Sequence, residues 1–234
     1  MAKIYIIIPT YNERNNIAKL LSQIFSLGIE ELNVLVVDDN SPDGTGQLVE
    51  QLKRSNPKLD ILHRQEKAGL GPAYVAGFKE AIVRGADYIF EMDADLSHNS
   101  KYIPEFLEAI KDHDLVLGSR YIKGGGTENW NWLRKLVSQA GNIYARLILG
   151  LPFKDITGGF KCYHREVLEK IGLGDLSSVG YNFQIETTYK VYKLGFKIVE
   201  IPIIFTERAE GKSKFNFKII RESFWQVLKL RFKK

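Results

Sequence analysis

Asp93 and Asp95 stand two residues apart at the end of an apolar run, Tyr88–Met92. If strand geometry persists to its end, alternate side chains project the same way and both carboxylates reach one cation. Hard oxygen ligands without a nearby cysteine or histidine pair suit Mg2+ or Mn2+ better than zinc. A divalent ion held by carboxylates also binds phosphate oxygens, so the ligand this chemistry implies is a nucleotide diphosphate. The alternative is that the pair caps the helix near Tyr102 or solvates a loop, and an Asp-x-Asp alone leaves both open.

Two further polar clusters close apolar runs: Thr10-Tyr11-Asn12-Glu13 after Ile4–Ile8, and Asp38-Asp39-Asn40-Ser41 after Val34–Val37. Together with Leu59–Leu62, Tyr88–Met92 and Leu115–Leu117, these runs read as strands, apolar on both faces as in a buried parallel sheet. Helical spacing fills Arg14–Leu27, Gly46–Arg54, Gly71–Arg84 and Tyr102–Lys111, which makes the first half a string of βα units with right-handed crossovers. Parallel strands end on one edge, and ligands of such sheets bind beyond that edge. Three clusters distant in sequence are therefore expected in one pocket, with Asp39, Asp93 and Asp95 gathered around a single cation. Asp38-Asp39-Asn40-Ser41-Pro42-Asp43-Gly44 is also a good turn, with Ser41 or Asp43 capping a helix. A nucleotide site offers a further role, a carboxylate accepting from ribose hydroxyls or a base amine, expected of Asp39 first and of Asp38 after it.

The expected fold is a doubly wound α/β sheet, mostly parallel and flanked by helices. After Ser119, Gly124-Gly125-Gly126 reads as a mobile loop, Trp132–Leu149 and Tyr181–Leu194 as helices, and Phe196–Phe205 as one strand whose Pro202 favours an edge or bulge. The 234 residues, 44% hydrophobic and 26% charged, can build a sizeable core. A single cysteine, Cys162, excludes an internal disulfide, and no apolar run approaches the roughly 20 residues that cross a bilayer. Cytoplasm is the expected compartment. The net charge of +5 is unevenly spread: Lys212–Lys234 carries eight basic residues against Glu222 alone, so everything before it is slightly acidic. A confined basic excess points to a localised anionic partner and away from nucleic acid.

Taken in order, the motifs resemble the family 2 glycosyltransferases of GT-A fold, and most closely the dolichyl-phosphate mannose synthases. They are Pro9-Thr10-Tyr11-Asn12-Glu13, Asp38 to Thr45, Lys67-Ala68-Gly69-Leu70-Gly71, Asp93-Ala94-Asp95-Leu96-Ser97-His98, Gly118-Ser119-Arg120-Tyr121, Asp155-Ile156-Thr157-Gly158-Gly159-Phe160 and Glu207 to Lys214. The resemblance spans nearly the whole chain. It implies transfer of mannose from GDP-mannose to dolichyl or polyprenyl phosphate, with inversion at the anomeric carbon and Mg2+ or Mn2+ as cofactor. Pro9, Tyr11, Glu13 and Asp39 then contact the nucleoside end of the donor, and Asp93 and Asp95 hold the metal. Some relatives ligate the ion with a glutamine where Ser97 stands, so here a hydroxyl or a water takes that place. Arg208 and Lys214 match basic positions that neutralise the departing diphosphate, so Asp95, Arg208 and Lys214 are the expected catalytic set.

An ionised phosphate acceptor attacks without a general base but needs cationic seating. Arg120 and Arg134 are the candidates, with Ser138 one turn after Arg134; a solvated helix face is the other reading of the latter two. Glu186 stands where relatives acting on hydroxyl groups carry a base, and none of the four histidines is assigned chemistry. Residues 1–211 are expected to form the catalytic domain, and 212–234 a basic loop and amphipathic helix over Phe217–Phe232. That helix is expected to meet an anionic leaflet on the cytoplasmic face, the catalytic domain or a membrane-anchored subunit. Three rivals remain: a transferase of the same fold using UDP-glucose or a hydroxyl acceptor, a nucleotide-cofactor oxidoreductase, and a binding module. Against the oxidoreductase, Tyr74 stands where a dinucleotide loop starting Gly69-Leu70-Gly71 needs a third glycine, and Walker-type loops are absent.

Overall fold

The computed structural model describes residues 2–176, 178, 180, 182–207 and 217–232, with side chains left out for 217–223. The first half is the expected alternation: β1 (Ile4–Thr10), α1 (Arg14–Phe25), β2 (Leu32–Asp38), α2 (Thr45–Lys53), β3 (Leu59–His63), α3 (Leu70–Val83), β4 (Tyr88–Glu91), α4 (Ile103–Ala109) and β5 (Leu115–Ser119). There follow β6 (Gly126–Glu128), α5 (Trp132–Leu149), β7 (Lys161–His164), α6 (Arg165–Lys170), α7 (Asn182–Lys193), β8 (Ile198–Pro202), β9 (Ile204–Thr206) and α8 (Phe217–Phe232).

Seven strands form the central sheet in the order β3-β2-β1-β4-β7-β5-β8, and β6 pairs with β9 beside it. Every central strand runs the same way except β7, which is antiparallel to both neighbours. The strands are apolar on both faces because both are covered. Ile4, Ile6, Ile8, Val34 and Val36 meet α1, α2 and α4 through Ile17, Leu20, Val49 and Phe106. Tyr5, Ile7, Leu35 and Val37 meet α3, α6 and α7 through Tyr74, Phe78, Val167 and Phe183. This period-two split is what a doubly wound sheet demands of each strand.

Two expectations change. Phe196–Phe205 is not one strand: β8 ends at Pro202, which brings no amide hydrogen to a ladder, and Ile203 turns its side chain into the core before β9 begins. The Gly124-Gly125-Gly126 run is not wholly a loop, because Gly126 opens β6, paired with Ile204. Gly125 is small for a packing reason, since a Cβ there would lie 2.4 Å from the Ser119 carbonyl oxygen. Strand β7 escapes the reading of the sequence because Lys161-Cys162-Tyr163-His164 lacks an apolar run. Its lysine is nevertheless buried, with Nζ donating to the Gln184 carbonyl (2.8 Å), Thr187 Oγ1 (3.1 Å) and Thr188 Oγ1 (3.0 Å). Helix α8 packs on α5 and α7, with Val227 and Leu230 buried among Ala145, Leu149, Ile185 and Tyr189.

Candidate active site

Strands β1, β2 and β4 end on one edge, and the three loops leaving them each contain a non-glycine residue in the left-handed region: Asn12 (φ 62°), Asn40 (φ 56°) and Leu96 (φ 65°). Asparagine tolerates that conformation, whereas leucine adopts it only where its surroundings hold it, a kind of strain that gathers at functional sites. The first two loops are tied together through buried Asp38. It accepts from Thr10 Oγ1 (3.0 Å), Ser41 Oγ (2.6 Å) and the Ser41 amide (3.1 Å), while Ser41 Oγ also takes the Asn12 amide (3.1 Å). Asp43 accepts from the Thr45 amide (3.0 Å) at the start of α2, so Asp43 and not Ser41 serves that helix. Asp38 is therefore a brace of the turn, which leaves Asp39 as the other carboxylate of the adjacent pair.

Asp39 is buried and ion-paired with Arg64 (Oδ1 to Nη1, 2.6 Å), and the amides of Ala68 and Gly69 donate to it as well. Burial raises its pKa, and Arg64 offsets only part of that. Lys67 Nζ sits 3.6 Å from the centroid of the Tyr11 ring, so the Lys67-Ala68-Gly69 loop closes over β1 and β2. Pro9 lies beside Val37 in the register, and Glu13 accepts from Asn16 Nδ2 (2.8 Å). Pro9, Tyr11, Glu13 and Asp39 thus share one stretch of rim, with Arg64 and Lys67 added to what the sequence suggested.

Asp93 is held on three sides. Its amide donates to His98 Nδ1 (3.1 Å), Tyr74 donates its hydroxyl to Oδ1 (3.2 Å), and His98 Nε2 lies 4.0 Å from Oδ2. Because Nδ1 accepts, the neutral ring carries its proton on Nε2, toward the carboxylate. Burial lowers the His98 pKa, against the pull of Asp93, and favours that neutral form. The ring is fixed by Phe160 (centroids 5.1 Å) and the edge of Phe205 (5.4 Å). Asp95 is buried, with Oδ1 accepting from the Ser97 hydroxyl (2.5 Å) and amide (3.1 Å), so Ser97 braces Asp95. Gly159 brings backbone against this corner: a Cβ there would lie 3.3 Å from Gln184 Nε2 and 3.7 Å from Asp93 Oδ1. Tyr74 carried no signal of this role in the sequence, and His98 stood in the Asp93-to-His98 motif without any chemistry assigned to it.

One expectation is corrected. Among the described residues, no three His, Cys, Asp or Glu side chains are grouped to hold a metal, and Asp39 belongs to the Arg64 corner. The carboxylates divide into Asp39, paired with Arg64 after β2, and the Asp93/Asp95 pair after β4.

The acceptor candidates lie next door. Arg120 is a buried partner of Asp155 (Nε to Oδ2, 2.7 Å; Nη2 to Oδ1, 2.8 Å) and donates to Thr157 Oγ1 (2.9 Å). Burial pushes the Asp155 carboxyl up, but the guanidinium more than offsets it and the net shift is downward. Arg134 pairs with Glu207 (2.6 Å) and stacks 4.2 Å from the Trp130 ring, which Arg120 approaches at 5.5 Å. Ser138 accepts from the Tyr121 hydroxyl (2.8 Å). Arg120, Arg134 and Ser138 are thus brought together around Trp130 and Tyr121. Contacts run on from Trp130 to Phe205 (5.5 Å), then through His98 to Asp93. Arg208 and Lys214 lie outside the described residues.

A mostly parallel, doubly wound sheet flanked by helices is the fold of the GT-A glycosyltransferases, and solved structures share that fold. A mannosyltransferase from Pyrobaculum calidifontis, in complex with GDP-mannose and Mn2+, superposes with a TM-score of 0.66 at 20% identity, over 98% of this chain and 63% of that one. Glucosyl-3-phosphoglycerate synthase from Mycobacterium tuberculosis, in complex with Mn2+, UDP and phosphoglyceric acid, reaches 0.72 at 16% identity, over 99% and 79%. The chain belongs to glycosyl transferase family 2, whose profile matches residues 5–172, and it is therefore a glycosyltransferase. It is 45% identical to polyprenol monophosphomannose synthase of Mycolicibacterium smegmatis over 95% of this chain and 84% of that protein. It is 44% identical to undecaprenyl-phosphate mannosyltransferase of Micrococcus luteus, over 96% and 92%.

Proposed function

We propose that this glycosyltransferase moves mannose from GDP-mannose to a polyprenyl phosphate of the dolichyl type, by metal-dependent displacement with inversion, at the cytoplasmic face of a membrane. The names of its relatives support the sugar and the acceptor class. The observation that carries the reading is the unbroken run of contacts from Arg134 through Trp130, Phe205 and His98 to Asp93, which joins a cationic phosphate seat to the carboxylate pair.

The donor set fits a hard divalent cation: two carboxylates at one rim, with the neighbouring histidine's Nδ1 engaged by the Asp93 amide. Asp93 and Asp95 would hold Mg2+ or Mn2+, with Ser97 fixing Asp95 or lending its hydroxyl. When bound, the ion neutralises charge that gathers on the leaving diphosphate. Tyr11, Asp39 and the Lys67 loop grip the nucleoside, with Pro9 and Glu13 shaping the wall. Arg208 and Lys214 are assigned to the departing phosphates. Arg120 and Arg134 orient the acceptor phosphate, and Ser138 donates to it.

An acceptor phosphate is anionic at neutral pH and needs no base. Glu186 agrees with this reading: it is fully buried and accepts the Ser178 amide (2.8 Å), which suits a loop brace. Glu186→Gln is expected to keep most of the transfer to polyprenyl phosphate, and a loss of a thousandfold or so would favour a hydroxyl acceptor. The deciding assay offers labelled GDP-mannose, GDP-glucose and UDP-glucose with polyprenyl phosphate, with and without EDTA. Label is expected in the lipid phase from GDP-mannose only, abolished by the chelator and restored by Mg2+ or Mn2+. A lipid phase without label for every donor sinks the proposal.

A further inference from the structure

Gln184 is a buried polar residue that neither the donor set nor the acceptor seat uses. It stands on the first turn of α7 and is 2% exposed, yet neither Oε1 nor Nε2 of its amide finds a hydrogen-bond partner among the described residues. Its backbone, by contrast, is firmly held. The carbonyl oxygen accepts from Lys161 Nζ (2.8 Å), Thr188 Oγ1 (2.9 Å) and Thr187 Oγ1 (3.2 Å), and Phe183 beside it stacks on Tyr74 at 5.8 Å. The amide lies near enough to Glu91 to oppose the rise of that acid's pKa, but without a bond of full geometry, and Glu91 Oε2 is left over as well. Leaving a buried amide unpaired costs stability, so one fixed this firmly calls for an occupant, a water or a ligand group.

The amide borders Gly159. A Cβ there would lie 3.3 Å from Gln184 Nε2, 3.6 Å from His98 Cε1 and 3.7 Å from Asp93 Oδ1, so glycine leaves room for one more atom among them. The Asp93 side chain is 27% exposed, which opens the same corner to solvent. The strand order then says what fits. Asp39 follows β2, Tyr11 follows β1 and Asp93 follows β4, while Gly159 precedes β7 and Arg120 follows β5, and these strands are neighbours in that order. Adjacent strands stand about 4.8 Å apart, so each carries the next part of an extended ligand. A nucleotide sugar with its nucleoside over β2 and β1 and its diphosphate over β4 places its sugar over β7, short of the acceptor seat after β5. A sugar hydroxyl both donates and accepts, as an amide does.

We infer that the Gln184 amide binds a hydroxyl of the donor's sugar through the space that Gly159 leaves open. This deepens the proposed function and rests on its placement of the diphosphate at Asp93 and Asp95. A site that pairs a hydroxyl strands its own polar group when the hydroxyl is missing, so the contact selects among sugars. It also sets stability against binding. An apolar side chain of similar length removes an unpaired amide, which costs the fold nothing.

Calorimetric titration in the presence of Mn2+ compares GDP-mannose with GDP on the unaltered protein, Gln184→Met and Gly159→Ala, the last of which fills the space with a methyl group and removes no polar one. Gln184→Met is expected to keep or raise the melting temperature and to bind GDP as before, while its affinity for GDP-mannose falls about tenfold. Gly159→Ala is expected to show the same selective loss, and it decides the matter alone should Gln184→Met fail to fold. Unchanged GDP-mannose affinity in both variants overturns the inference. So does an equal loss for GDP and GDP-mannose, which would make Gln184 a prop of the metal corner. A lower melting temperature for Gln184→Met with sugar-nucleotide binding intact overturns it in favour of a resident water. GDP-glucose against GDP and UDP-glucose against UDP are titrated alongside. If the unaltered protein prefers one of these, the GDP-mannose reading fails, while a loss confined to that sugar nucleotide still upholds Gln184.

Discussion

Asp93 is held through its amide by His98 and through its carboxylate by Tyr74, so its position at the rim depends on two side chains outside the carboxylate pair. Partners of this kind orient ligating groups, and losing one typically costs 10–100-fold in metal affinity or activity. His98→Ala is accordingly expected to weaken Mn2+-dependent GDP-mannose binding by roughly 10–100-fold, measured by calorimetric titration. Tyr74→Phe removes one hydrogen bond and is expected to cost less; equal affinities for all three proteins would show that Asp93 needs no such support. The sequence made the carboxylate pair legible because it lies in one short stretch. It showed His98 in that same stretch but hid its holding role and that of Tyr74, since the Tyr74 hydroxyl and the His98 ring find Asp93 only once α3 and the loop after β4 have packed. Asp38 and Asp39 are adjacent and chemically identical in sequence, and only their partners, Ser41 for one and Arg64 for the other, separate brace from wall.

Elements follow the same division between local and distant causes. Helices α5 and α8 match the expected Trp132–Leu149 and Phe217–Phe232 because their periodicity is written in consecutive residues. Strand β7 was illegible because its stability comes from across the sheet. Lys161 stands opposite Glu91 in the register, and Tyr163 donates its hydroxyl to Glu91 (2.8 Å) and lies 3.4 Å from Thr187, which Lys161 also reaches. Burial lowers the Lys161 pKa to about 8 against the pull of Glu91, and raises that of Glu91. Lys161→Met leaves Glu91 buried without its cation and is expected to destabilise by about 3–5 kcal/mol, while adding Glu91→Gln recovers much of the loss. A urea-unfolding cycle over the two single variants and the double one measures this coupling, and additive losses would dismiss it. Helix α3 sits close on β1 at Gly77, where a Cβ would fall 2.3 Å from Ile7 Cγ2 and 3.0 Å from Val37 Cγ2. Gly77→Ala is expected to lose about 1–3 kcal/mol despite its better helix propensity, read as a lower melting temperature.

For the molecule as a whole, the alternation of strands with helices and the shared edge of the three polar loops were readable in the sequence, because parallel strands joined by helices must all end on one side, whereas the order of the strands was not. Nor were the inserted reverse strand and the break at Ile203. The sheet's outer strand β3 is clamped through Asp60, which Lys53 (2.6 Å) and Arg84 grip from the ends of α2 and α3. Burial pushes the Asp60 carboxyl up, but the two cations prevail and hold it near 2, below its ordinary 3.8. A depressed carboxyl stabilises the fold fully above its unfolded value, and that contribution fades as pH falls through about 2. Asp60→Asn is therefore expected to be less stable than the unaltered protein by a constant margin near neutrality, with the gap closing below pH 4. Unfolding by urea across that range checks the sign.

Because β7 runs against its neighbours, the peptide that enters it arrives at the rim where the others depart. Gly159, sixty-odd residues downstream of Asp93, therefore touches the aspartate's corner instead of the far side of the sheet. Were that strand flipped to match the rest, the glycine pair would be carried to the opposite pole of the molecule, and nothing in that stretch could reach Asp93. One reversal in direction thus decides which half of the sequence is allowed to meet the other.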